Sequence, residues 1–220
     1  MATNSASTNF GINSANNKMD MYTGLDMRSE PVSAIGWFYL ENTPGTFAFI
    51  FTQEAGAGTY DGLDAVRSDL KLGGFIGSGD LIGTTTVVKN RWEFGSITFP
   101  GGTGNETIFL NNIDDGTMSA TGQSEDDFIL GAHPTFSSWN WDGEMAFQQI
   151  YKVVLSLDQM TELSFNPFAF PENLEWFPDL LDTTSLTFTD LSPKQLGSPS
   201  IVGSLTTASD GPPVFLLGGQ

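Results

Sequence analysis

The chain contains no cysteine, a single histidine, and only 8 lysine and arginine residues in 220. The first absence excludes disulfides, thiolate catalysis and cysteine-based zinc sites. The second makes any Ser-His-Asp triad depend on His133, which precedes Pro134 in a loop-like stretch, and no G-x-S-x-G elbow is present. His133 therefore reads as a turn residue. The third stands against 26 Asp and Glu, for a formal charge of −18. That balance argues against nucleic acid and anionic membranes as partners, since both need clustered cations. Charged residues in total are only 15%, where an average chain has about 25%. No apolar run approaches the roughly 18 residues of a membrane span, so no membrane insertion is expected. MATNSASTNF has neither the cationic start nor the apolar run of a secretory signal. Action outside a cell would then need another exit, such as lysis.

What fills the gap is uncharged and aromatic. The 25 Gly, with abundant Ser, Thr and Asn, favour turns, and the 18 Phe and 5 Trp favour strands. Hydrophobic content of 39% suffices for a sizeable core at this length. Strand-like runs recur with turn punctuation: Ser33 to Leu40 and Phe47 to Thr52 flank Pro44-Gly45, Leu81 to Lys89 leads to Arg91 to Phe99, and GGTGN at 101 to 105 leads to Glu106 to Asn111. Phe128 to Gly131 follows. Runs of strands without intervening helices favour antiparallel sheets. The Gly-rich stretches at 77 to 83 and 101 to 104 open no helix, so they read as hairpin turns rather than phosphate cradles.

The segment WDGEMAFQQIYKVVLSLDQMTEL, 141 to 163, changes period halfway. Met145, Phe147, Tyr151, Val153 and Leu155 share one face of a strand, with Gln149 the exception on that face; Ile150 falls on the mixed face. Ser156 and Gln159 form a capping box, and Leu155 and Met160 a hydrophobic staple, for a helix over 157 to 163 that Asn166-Pro167 stops.

Seven of the 11 prolines fall between 167 and 213, so this region cannot supply a central strand. It still carries Leu174, Trp176, Phe177, Leu180 and Phe188, too apolar a load for a disordered linker. The expected division is a domain over 1–166 and an extended proline-rich arm over 167–220, packing on its own domain or on a neighbouring subunit. Phe168, Phe170, Trp176 and Phe177 are its candidate assembly anchors.

The order GWFYLEN, a hairpin reaching FIFTQ, KNRWEFGSITF, TIFLNNIDDGTMSATG, DDFILGA and WDGEMAFQQIYKVVLSLDQMTELSFNP resembles the laminin-G-like, concanavalin-A-like lectin and glucanase jelly rolls found among phage structural proteins. Asn90-Arg91-Trp92 stands for the family's N-x-W step, Leu110-Asn111-Asn112 for its L-N-G hairpin, and Leu130-Gly131-Ala132 for its I-G-A strand. The resemblance covers roughly residues 8 to 165. It implies an all-β antiparallel sandwich with one short C-terminal helix before the arm. Asn166-Pro167-Phe168 is similar to the segment following such domains in phage proteins, and the arm resembles a displaced edge element, supplied in cis or to a neighbour.

Candidate chemistry follows. Phe136, Trp139 and Trp141 cluster in PTFSSWNWDG and suit sugar stacking, partner anchoring or covering the sandwich end. Asp114, Asp115, Asp126 and Asp142 lie near turns and are the candidate ligands of a calcium ion, set against plain solvated turns. A glycosidase needs two facing carboxylates about 5–10 Å apart. The acidic-x-acidic-x-acidic run that would supply them on a strand does not occur, and Glu93 and Glu175 are isolated. The functional expectation is a non-enzymatic structural or adhesive protein of a bacteriophage virion, displaying the jelly roll on the particle surface beside other virion proteins or copies of itself. The alternative is a lectin-like module binding a cell-surface glycan, and a glycoside hydrolase comes third.

Overall fold

A computed structural model describes residues 2–3, 7–9, 18–21, 24–54, 60–77, 80–122, 128–133, 139–180, 188–197, 199–202, 205–208, 211–213 and 215–216. The strands are β1 (Ala2–Thr3), β2 (Ser7–Asn9), β3 (Lys18–Met21), β4 (Val32–Leu40), β5 (Phe47–Glu54), β6 (Tyr60–Arg67), β7 (Lys71–Phe75), β8 (Leu81–Thr86), β9 (Trp92–Phe99), β10 (Thr103–Leu110), β11 (Ile113–Thr121), β12 (Phe128–Leu130) and β13 (Gly143–Tyr151). Helix α1 (Leu157–Phe165) precedes β14 (Leu174–Trp176), β15 (Ser200–Val202), β16 (Thr206–Ala208) and β17 (Phe215–Leu216). Two antiparallel sheets form a sandwich. The first runs β11-β10-β9-β4-β13-β2-β16 with β14 also on β13, the second β15-β3-β12-β5-β6-β7-β8, and β1 pairs with β17 apart from both.

The core between the sheets takes Ala34 and Phe38 from β4, Ile97 and Phe99 from β9, and Ile108 from β10. From the second sheet come Ile50 and Phe51 of β5, Leu72 of β7 and Phe128 of β12. The stretch around Pro44-Gly45 is not a hairpin: β4 and β5 lie in different sheets, so the chain crosses the sandwich there. Between β10 and β11, Asn111 and Asn112 both hold positive φ, 53° and 63°. That is the geometry of a two-residue turn matching strand twist, with asparagine tolerating what glycine usually supplies.

The β13–α1 junction keeps the expected caps but not the expected faces. Ser156 accepts from the Gln159 backbone N–H and Gln159 reaches back to the Ser156 N–H, while Leu155 and Met160 pack in one cluster. The strand, however, ends at Tyr151 and its register shifts between Ala146 and Gln149. Phe147 has a φ of 52°. This bulge flips the alternation, as a single extra residue must. Met145 and Ile150 therefore point into the sandwich. Phe147 and Tyr151 point the other way, beneath α1, with Trp37, Phe94 and Leu163. Both faces of β13 are consequently buried. Gln148, displaced by the bulge, donates to the Trp37 carbonyl at 2.6 Å.

The proline-rich stretch returns to its own sandwich in cis, and each strand it supplies sits at a flank: β14 on β13, β15 on β3, β16 on β2, β17 on β1. Its side chains enter the core. Trp176, Leu180, Phe188 and Leu205 join the cluster between the sheets, and Leu174 and Phe177 join the one under α1. Asp190 organises the turn that makes this possible, accepting from the backbone N–H groups of Phe177, Ser192 and Leu196 and from the Ser192 hydroxyl.

Candidate functional site

The outer face of the second sheet carries an aromatic surface. Alternation on β5 sends Phe47 and Phe49 outward, Phe75 joins them from β7, and Trp139 and His133 arrive from the loop between β12 and β13. That loop is pinned at its neck. Gly131 N–H donates to Ile50 O at 2.9 Å and Trp141 N–H to Gly131 O at 2.7 Å, and the Thr52 hydroxyl donates to Ala132 O at 3.0 Å.

Trp139 stacks on Phe49 (6.0 Å between centroids, 25°) and meets Phe47 edge-on (4.9 Å, 74°) and His133 edge-on (5.0 Å, 83°). Phe49 and His133 are buried, whereas Phe47 and Trp139 are half-buried, so they form the face that solvent sees. The Arg67 guanidinium carbon lies 5.3 Å from the Phe47 ring centroid, a cation–π distance. The same guanidinium reaches Asp80 at 2.7 Å and Asp69 at 3.7 Å. The result is two rings fringed by one cation and two exposed carboxylates. Burial holds the His133 imidazole down to about 4, so at neutral pH it is an uncharged wall of the cluster.

The sequence-derived candidates divide sharply. Trp139 belongs to this surface. Trp141, two residues on, does not: it is fully buried and packs edge-on against Phe38 in the sandwich core, at 5.5 Å. Strand alternation would put residues two apart on one side, but 139–142 precede β13 outside any strand, and the chain turns the two indoles to different sides. Phe136 and Asp126 lie outside the described residues. Asp115 is buried, and its Oδ1 takes the Thr84 N–H, the Thr84 hydroxyl and the Thr85 N–H, which ties β11 to the edge strand β8. Asp114 is exposed and accepts from Gly116 N–H. Asp142 accepts from Asn42, and burial pushes its carboxyl up. Among the described residues no three acidic or histidine side chains converge.

Of the assembly anchors, Trp176, at the end of β14, is buried between the sheets, and Phe177, one residue on, is buried in the cluster under α1. Phe168 is 52% exposed and Phe170 half-buried. The isolated carboxylates are also engaged. Glu93 binds Arg91, Asn111 and the Val88 N–H, and Glu175 pairs with Lys194. Phe47, Phe49, Phe75 and Arg67 were not legible as site residues. The signal available was the F-x-F alternation at 47 to 49, whose outward face only the partner sheet could assign.

No protein-family profile matches the sequence, and no curated protein does. The structure is more informative. Over 97% of its length the chain superimposes on a Bacteroides ovatus protein assigned to carbohydrate binding, with a TM-score of 0.71 and 14% identity, and it spans 62% of that protein. Over 96% it superimposes on the native heptameric SAP-like pentraxin of Limulus polyphemus, covering 97% of it at a TM-score of 0.60 and 12% identity. The fold is the laminin-G-like, concanavalin-A-like jelly roll. A third relative in shape is the Ruminococcus gnavus sialidase CBM40 bound to α2,3-sialyllactose, with a TM-score of 0.54 and 12% identity over 71% of this chain and 96% of that one. In this jelly roll α1 covers the first sheet, and the aromatic surface is on the opposite side.

Proposed function

We propose that the chain is a non-catalytic carbohydrate-binding module and that the outer face of its second sheet is the binding surface. The observation that carries this is the half-buried Trp139–Phe47 pair beside the Arg67–Asp80 fork. A half-buried indole held by Phe49 and His133 presents its solvent-accessible ring surface to the C–H side of a sugar ring at little entropic cost. The guanidinium and carboxylates at its edge can exchange their water for sugar hydroxyls. Two similarly folded proteins, the B. ovatus protein and CBM40, carry carbohydrate in their descriptions, which supports the reading. A formal charge of −18 repels anionic ligands, so neutral glycans are the expected class. Display on a bacteriophage particle, beside other virion proteins, is the setting the sequence resemblance implies for such a module.

A glycan microarray tests this with the wild-type chain and Trp139→Ala. Neutral glycans should be retained by the wild type and lost by about tenfold or more in the variant, a change of about 1.4 kcal/mol, while thermal stability changes little. Absence of any retained glycan, or equal retention by the variant, would sink the assignment.

A further inference from the structure

The opposite side of the molecule carries a second surface. Among the described residues, most of the large hydrophobic side chains left exposed fall between 154 and 196: Val154, Leu157, Phe165, Phe168, Leu191 and Leu196. Concentrated apolar exposure of this kind marks interaction surfaces rather than chance. Within it lies a cleft of about 190 Å3, floored by Leu174 and Phe177 and walled by Phe168, Phe170, Leu191 and Pro193. That is below the roughly 300–1,000 Å3 of pockets that enclose drug-sized molecules, and it suits one large side chain.

The cleft is built before anything binds. Gln149 Nε2 donates to Pro167 O at 2.6 Å, Leu191 N–H donates to Phe177 O at 2.7 Å, and the Asp190 carboxylate holds Phe177, Ser192 and Leu196 together. A preformed recess loses little entropy on association.

Charge decides what occupies it. Asp158 and Glu162 are exposed on one face of α1, one turn apart, leading to Phe165. Glu172, next to the cleft residue Pro171, is exposed too. The last turn of α1 has no basic residue, so the helix itself supplies no cation to the negative end of its dipole. The two lysines of this side are already taken, Lys194 by Glu175 and Lys152 by Glu30. A second copy would bring another −18 to the contact.

We infer that the cleft docks a segment of a partner protein that offers one large apolar side chain flanked by lysine or arginine. The apolar residue fills the recess, and the cations meet Glu162, Glu172 and the carbonyl end of α1. Trp139 takes no part.

The test uses the full chain and a random short-peptide display library. Selected peptides should share a single aromatic or leucine anchor with Lys or Arg close on either side. In fluorescence anisotropy with the selected peptides, Phe168→Ala should weaken binding by about tenfold or more, a change of about 1.4 kcal/mol. The variant with Glu162→Lys and Glu172→Lys should weaken it severalfold and flatten its salt dependence. Trp139→Ala should leave it unchanged, which separates this result from the glycan assay. Phe168 is exposed, so its variant keeps the fold. Selected peptides without cationic flanks, or equal binding by Phe168→Ala, would overturn the inference. So would failure to select any peptide, or sedimentation showing a homodimer that Phe168→Ala dissolves.

Discussion

Replacing Trp176 with alanine probes whether the proline-rich stretch belongs to the core. The indole is fully buried between the sheets and is carried there by β14, whose register places Trp176 opposite Ile150. Its Nε1 has no hydrogen-bond partner, so the substitution removes packing and leaves no polar group stranded. Truncations of buried Trp or Phe to Ala cost roughly 3–5 kcal/mol. Set against a total stability of roughly 5–15 kcal/mol, that is a large fraction. For a chain of this size each kcal/mol moves the melting temperature by roughly 2–4 °C, so a fall of roughly 6–20 °C is expected. Urea unfolding followed by circular dichroism and scanning calorimetry would measure it. Phe168→Ala is the internal control, because a side chain 52% exposed should change stability by no more than about 0.5 kcal/mol. Equal, small effects from the two variants would refute the placement of this segment in the core.

Three further outcomes follow from single contacts. Gly143→Ala should destabilise the fold by more than the roughly 1–3 kcal/mol of a strained backbone, since the residue has a φ of 146° and an added Cβ would lie 1.9 Å from Tyr39 O; chemical denaturation at or above wild-type stability would contradict the close approach of the start of β13 to β4. Tyr151→Phe should be neutral or stabilising, because the buried hydroxyl has no partner and its removal lifts a desolvation cost; a loss of about 2 kcal/mol in the same assay would show a hydrogen bond that the packing under α1 does not provide. His133, held down to about 4 from 6.5 by burial, is neutral in the folded chain while the unfolded chain takes up a proton in that window. Its contribution is therefore complete above about pH 6.5 and is lost as pH falls toward 4. His133→Phe should flatten the stability profile there, and an unchanged slope would contradict the burial.

Local signals carried well from sequence to structure. The capping box at Ser156 and Gln159, the staple at Leu155 and Met160, and the Asn111-Asn112 turn are decided by neighbours a few residues apart. Proline kept the C-terminal strands at sheet flanks, as its missing donor requires. What failed were matters that distant partners decide. The bulge at Phe147 and Gln148 sends Met145 and Phe147 to opposite faces, and nothing local in QQIY announces it. The β6 and β7 strands went unseen because YDGLDAVR and KLGGF mix charges and glycine where strand formers are expected. Trp139 and Trp141 look equivalent in SSWNWDG, yet only Trp139 lies on the surface. Which of two adjacent indoles meets solvent depends on the sheet beneath them, and that sheet is assembled from residues far away in sequence.

Fluorine NMR on fluorotryptophan-labelled protein tests the binding account most directly. The chain has 5 tryptophans, each assignable by replacement with phenylalanine. On titration with the best neutral glycan from the array, the Trp139 signal should shift with saturation while those of the core residues Trp141 and Trp176 stay fixed. Saturable shifts at Trp141 or Trp176 with Trp139 unmoved, or no shift at any of them, would contradict a sugar site on the second sheet.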